Sequence, residues 1–186
     1  MAIEAGDFKT GLTVMVDGDP WVVIDFMHVK PGKGAAILKT KMKNLKTGST
    51  QERNFNASIK FEAANIEKRR ANFSYVDGET YYFMDQESFE TYELTADQLE
   101  FKKYFILDNM EVMLVFFEGN VLDISLPDKV ETTLAECEQA VKGDTATSAL
   151  KNAVTETGLK VKVPMFINEG ERIIVSTADG KYVSRA

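Results

Sequence analysis

Lys33 stands between two glycines in Lys30-Pro31-Gly32-Lys33-Gly34-Ala35-Ala36, and the flanking segments 21–29 and 35–45 are rich in apolar residues. Two β-type runs joined by a short glycine-containing segment predict a hairpin, and Gly32 and Gly34 can take the φ > 0 backbone that a tight turn needs. Pro31 fixes one φ on the approach and removes a donor, so the tip is stiff at its base and bare at its end. Taken alone, the loop has two readings: a presented lysine with a role of its own, or a polar hairpin whose lysine only keeps it soluble. Beside it, Lys39, Lys41 and Lys43 alternate with Thr40 and Met42. On a strand these lysines share one face, opposite Leu38, Thr40 and Met42. A basic stripe next to a presented lysine fits a polyanion, most naturally nucleic acid; a solvated outer face is the plainer alternative.

Charge is sorted along the chain. The whole sequence carries a net charge of -7, but residues 1–63 contribute +2, residues 64–126 contribute -8 and residues 127–186 contribute -1. Within residues 30–53, six lysines and Arg53 face Glu52 alone, a local +6. At 186 residues and 44% hydrophobic content the chain can bury real cores, as one or two domains or as three small ones. The opening residues lack a basic stretch followed by a signal-length apolar run, and no run approaches the ~18 apolar residues of a membrane span. The expectation is a cytoplasmic protein with no membrane partner. Cys137 and His28 are the sole residues of their types, which excludes an internal disulfide framework and a cysteine-based zinc site. Both read as structural, Cys137 as a small apolar filler and His28 as a strand residue. No nucleophile with an evident base and no phosphate-binding glycine loop is present, so neither an enzyme nor a cofactor is expected.

Most of the chain reads as short strands punctuated by turns such as Asp17-Gly18, Asp77-Gly78 and Asp179-Gly180. Three sets of strands emerge, over residues 1–63, 64–126 and 127–186, each sized for a small antiparallel barrel; the OB fold is one way to close such a barrel. Thr95 with Gln98 three residues later predicts a capping box ahead of a helix running to Phe105. Residues 142–157, rich in small and polar residues, predict a long loop. The aromatics Tyr81, Tyr82, Phe83, Phe116 and Phe117 could fill cores or form base-stacking platforms.

Four stretches, in this order, are similar to bacterial elongation factor P. They are the Lys33 loop; Gly143-Asp144-Thr145-Ala146; the run from Thr157 through Lys160-Val161-Lys162-Val163-Pro164-Met165-Phe166 to Gly170; and Asp179-Gly180-Lys181-Tyr182-Val183-Ser184-Arg185-Ala186. The resemblance covers the whole chain. It implies an all-β protein of three small barrels in an L-shape, with an SH3-like (KOW-type) domain at 1–63 followed by OB domains at 64–126 and 127–186. It further implies a monomer that binds the ribosome between the peptidyl and exit sites and promotes peptide-bond formation at consecutive prolines. Lys33, extended by a lysine-modifying enzyme, would then face the acceptor end of peptidyl-tRNA. Lys30, Pro31, Gly32, Gly34, Lys39, Lys41 and Lys43 would contact tRNA or ribosomal RNA, and Gly143, Asp144 and Thr145 would lie near the small-subunit codon. Tyr182 and Arg185 offer a stacking or cationic surface, with Tyr182 as core filler left open. The two-domain initiation factor five-A family shares the lysine hairpin but lacks a counterpart to residues 127–186. A stand-alone OB-type binder of single-stranded RNA is the alternative of a different class.

Overall fold

The structure, a computed structural model, describes residues 2–32, 34–139 and 149–186. Lys33 and the Gly143-Asp144-Thr145 segment therefore lie outside the described residues. The architecture is all-β, built from curled sheets that form half-barrels. The first strands are β1 (Ala2–Glu4), β2 (Thr13–Val16), β3 (Asp19–Val29), β4 (Ile37–Asn44), β5 (Thr50–Asn56) and β6 (Lys60–Glu62). β2 to β5 form a meander in sequence order, while β1 pairs with β6. Next come β7 (Ile66–Asp77), β8 (Thr80–Asp85), β9 (Thr91–Thr95), helix α1 (Ala96–Leu99), a 3₁₀ segment (Glu100–Phe105), β10 (Glu111–Phe117) and β11 (Asn120–Ser125). Their sheet runs β11-β10-β7-β8-β9. Finally β12 (Lys129–Cys137), β13 (Leu150–Thr155), β14 (Lys160–Pro164), β15 (Arg172–Ser176) and β16 (Tyr182–Arg185) form a sheet in the order β14-β13-β12-β15-β16. By compactness the chain divides into Met1–Arg69 with Leu114–Asp123, and Arg70–Met113 with Ile124–Ala186.

The first unit closes over Ala5, Phe8, Val14, Val16, Trp21, Val23, Leu38 and Met42, with Phe26, Phe55 and Phe61 packed against them. Phe8, Phe55 and Phe61 meet at angled ring contacts, the geometry that aromatic quadrupoles favour. In the second unit Val130, Leu134, Val161, Val163, Ile167, Ile173 and Val175 make a core that Phe105 joins from the 3₁₀ segment. Its helix starts as expected: Gln98 N–H donates to Thr95 Oγ1 at 3.2 Å and Thr95 N–H donates to Gln98 Oε1 at 2.9 Å. The α-helical turn then stops at Leu99, because Glu100 adopts φ +51° and the chain continues as 3₁₀ helix to Phe105.

The segment expected as a long loop over residues 142–157 is corrected in part, since Leu150–Thr155 is a strand paired with both β12 and β14. Its inward positions are Lys151, Ala153 and Thr155, all buried, whereas Leu150 points outward and is exposed. The polar and small residues face in, so the alternation carried no apolar signature. Of the alternatives for the aromatics, Phe83, Phe116 and Phe117 are buried and Tyr81 and Tyr82 half-buried. No helix among the described residues is long and apolar enough to cross a membrane.

Candidate nucleic-acid interface

β3 and β4 form the expected hairpin, with Val29 opposite Ile37 at its tip and Trp21 opposite Asn44 at its base. A polar lock secures the base. Asn44 is buried, its Nδ2 donates to Asp19 Oδ2 at 3.0 Å, and its Oδ1 accepts from the N–H groups of Lys46 and Thr47. Lys46 Nζ stands 3.2 Å from Asp19 Oδ1. These partners, the Asn44 amide first and Lys46 second, hold the Asp19 carboxyl below the usual carboxylate range. Arg53 adds a second clamp: its guanidinium lies 4.8 Å from the centre of the Trp21 ring and pairs with Asp17 at 2.7 Å. With the base fixed, the paired register of β3 and β4 runs without interruption from Asp25–Lys41 to Val29–Ile37.

At the tip, the two glycines behave differently. Gly34 adopts φ +136°, a region closed to most L-residues, and the nearest atom to a Cβ placed there is Pro31 Cγ at 3.7 Å. Gly32 does not take a positive φ, so of the two expected turn glycines only Gly34 uses its conformational freedom. Lys30, Pro31, Gly32 and Gly34 are all exposed.

Along β4, Leu38, Thr40, Met42 and Asn44 are buried while Lys39 and Lys41 are exposed and Lys43 is half-buried. The lysines therefore share the outer face, spaced about 6.6 Å apart along the strand. Their cross-strand neighbours differ. Lys39 lies between Met27 and Asn54, and Lys43 between Val22 and Thr50, but Lys41 lies between Asp25 and Glu52. Directly opposed residues on one sheet face interact, so the two carboxylates offset the middle lysine and leave Lys39 as the strongest cation toward the tip. Met27, 65% exposed beside Lys39, gives this end of the face an apolar surface as well. A groove of about 430 Å³ runs between Met27, Lys39, Lys41 and Asn54.

The remaining candidates belong to the second unit. Tyr182 is half-buried and packs against the core of that unit. Arg185 is exposed, pairs with Glu171 at 2.8 Å and lies 5.2 Å from the centre of the Phe166 ring. Phe166 is itself 60% exposed. Sequence reasoning passed over it, although an aromatic directly after Pro164-Met165, outside any apolar alternation, was a usable signal. Cys137 donates to the Ile167 carbonyl at 3.6 Å and packs against the core, as a small filler would. His28 is an exposed strand residue whose ring meets Phe26 edge-on.

Three family models match this chain: the elongation factor P KOW-like domain over residues 4–61, the elongation factor P OB domain over residues 66–124, and the elongation factor P C-terminal domain over residues 130–185. With the half-barrels, they define a translation factor assembled from small β domains. The chain belongs to the elongation factor P family. Among solved structures it is similar to the eukaryotic translation initiation factor 5A from Methanococcus jannaschii, at 26% identity over 67% of this chain and 92% of that one, with a TM-score of 0.49. It is also similar to a translation initiation factor eif-5a family protein from Naegleria fowleri ATCC 30863, at 19% identity over 68% of this chain and 98% of that one, with a TM-score of 0.45.

Proposed function

We propose that this translation factor binds the ribosome between the peptidyl and exit sites and accelerates peptide-bond formation at consecutive prolines, with an enzymatically modified Lys33 positioning the end of peptidyl-tRNA. The single observation that carries this reading is the hairpin: a base locked through Asn44, Asp19 and Arg53 supports β3 and β4, and β4, flanked by β3 and β5, presents a basic outer face beside the 30–36 segment. The basic face suits an RNA backbone, and an adduct on Lys33 extends the reach of that side chain into a narrow RNA channel where protein cannot follow. The factor works by positioning. Proline is a constrained nucleophile and a proline-ended nascent chain can hold the ester out of line, so restored alignment is worth several kcal/mol, at about 1.4 kcal/mol per tenfold in rate.

We assign three domains, over 1–63, 64–126 and 127–186, in keeping with the three ranges that the family models match. Lys39 and Lys43 contact phosphates without sequence choice, and Lys41 adds less. Gly143, Asp144 and Thr145 reach toward the small-subunit codon, and Arg185 turns from Glu171 to RNA. The protein acts as a cytoplasmic monomer. Two measurements test the central claim. Native protein should carry a mass increment on the peptide spanning Lys33, and Lys33→Arg should fold normally yet lose most rescue of a consecutive-proline reporter. An unmodified native peptide, or full rescue by Lys33→Arg, removes Lys33 from the mechanism. Ribosome cosedimentation with and without Lys33 separates this reading from a stand-alone RNA binder, for which Lys33 is incidental.

A further inference from the structure

From Ala71 to Phe101 the chain holds eight carboxylates and no lysine, arginine or histidine. These residues build β8, β9 and the part of β7 that pairs with β8. On the sheet's outer face Tyr75 lies opposite Tyr82, and Tyr82 lies opposite Glu93. The two phenol rings stack with centroids 4.5 Å apart and planes 18° apart, and Tyr75 remains 54% exposed. Met84, two residues further along β8, is exposed on the same face. Carboxylates crowd the pair: the Tyr82 phenol is pushed up by burial first, then by Glu93, Tyr75 and Asp77.

An exposed aromatic patch marks a contact surface, and its rim decides the kind of partner. Here the ring faces and the neighbouring carboxylates attract the same ligand, a cation with some apolar stem. RNA phosphates would meet like charge on this face, and so would a second copy of it. We propose that the outer face of β7, β8 and β9 docks an arginine- or lysine-rich segment of a protein partner, whose cationic side chain packs on Tyr75 and Tyr82 and pairs with Asp77 and Glu93. This surface is separate from the basic hairpin face and stands whether or not the hairpin binds RNA.

The test uses the full chain, an Arg-Gly repeat peptide and a single-stranded RNA oligomer, followed by backbone amide NMR and by titration of affinity. The peptide should move the amides around Tyr75, Tyr82 and Glu93, and the double variant Tyr75→Ser/Tyr82→Ser, which keeps every charge, should weaken it about fivefold. Should that variant not fold, Asp77→Asn/Glu93→Gln keeps both rings and should weaken binding by a similar factor. Equal affinity in the charge-preserving variant leaves diffuse attraction only and overturns the proposal. Peptide-induced shifts confined to other strands, or RNA moving these same amides, overturn it as well.

Discussion

Gly180 and Gly34 both hold left-handed backbone, yet they serve different ends. At Gly180, φ is +69° and a Cβ would stand 2.7 Å from Phe101 Cζ and 3.4 Å from Leu159 Cδ1. The conformation costs an L-residue about 1–2 kcal/mol, and the Phe101 ring, exposed and met at its far end, can swing aside at little further cost. Gly180→Ala is therefore expected to lower stability by about 1–2 kcal/mol, read as an earlier urea midpoint with an unchanged slope. Gly34, at φ +136°, has only Pro31 Cγ within contact range of such a Cβ and lies in an exposed loop. There Gly34→Ala should cost about 1–3 kcal/mol through the backbone alone, while slowing consecutive-proline rescue. A Gly34→Ala protein that rescues at the normal rate would mean that the tip tolerates a change of backbone.

At the scale of the element, the basic strand yields a graded expectation. Removing one lysine–phosphate interaction should lower the slope of log affinity against log salt by roughly 0.7–0.9, so replacing Lys39, Lys41 and Lys43 with Gln should visibly flatten ribosome binding across a salt series. Single replacements should not be equal. Lys39→Gln should cost more than Lys41→Gln, because Asp25 and Glu52 already offset Lys41 from both neighbouring strands. The alternation of β4 was legible because Lys39, Lys41 and Lys43 mark its outer face against Leu38 and Met42 on the inner one, whereas the flanking carboxylates became neighbours only through cross-strand register. β13 hid for the opposite reason, with Lys151, Ala153 and Thr155 turned inward. β1 and β6, of 3 residues each, are too short to show a period and exist through pairing with each other. Thr95 and Gln98 were legible because a capping box is local in sequence; the stop at Glu100, set by a positive φ, carried no such mark.

Across the whole molecule, segment charge was plain from composition, while the partners of individual carboxylates were not, and those partners govern the response to acid. Asp19 is held low by Asn44 and then Lys46, Glu138 by the side-chain and backbone N–H groups of Asn152, and Asp179 by the Lys181 backbone N–H. Each of these groups has a folded-state pKa below its unfolded value, which is about 4 for such carboxylates. Their contribution to stability is thus fully present above that unfolded value and is lost as pH falls through the lower folded-state values. The urea midpoint should accordingly stay nearly level from pH 7 down to about 5 on this account, then decline below about 4. Asp19→Asn should lower the neutral-pH midpoint, since the Lys46 pair is removed, and should make the acid decline shallower. Parallel pH profiles for the two proteins would show that the base of the hairpin does not contribute to acid sensitivity.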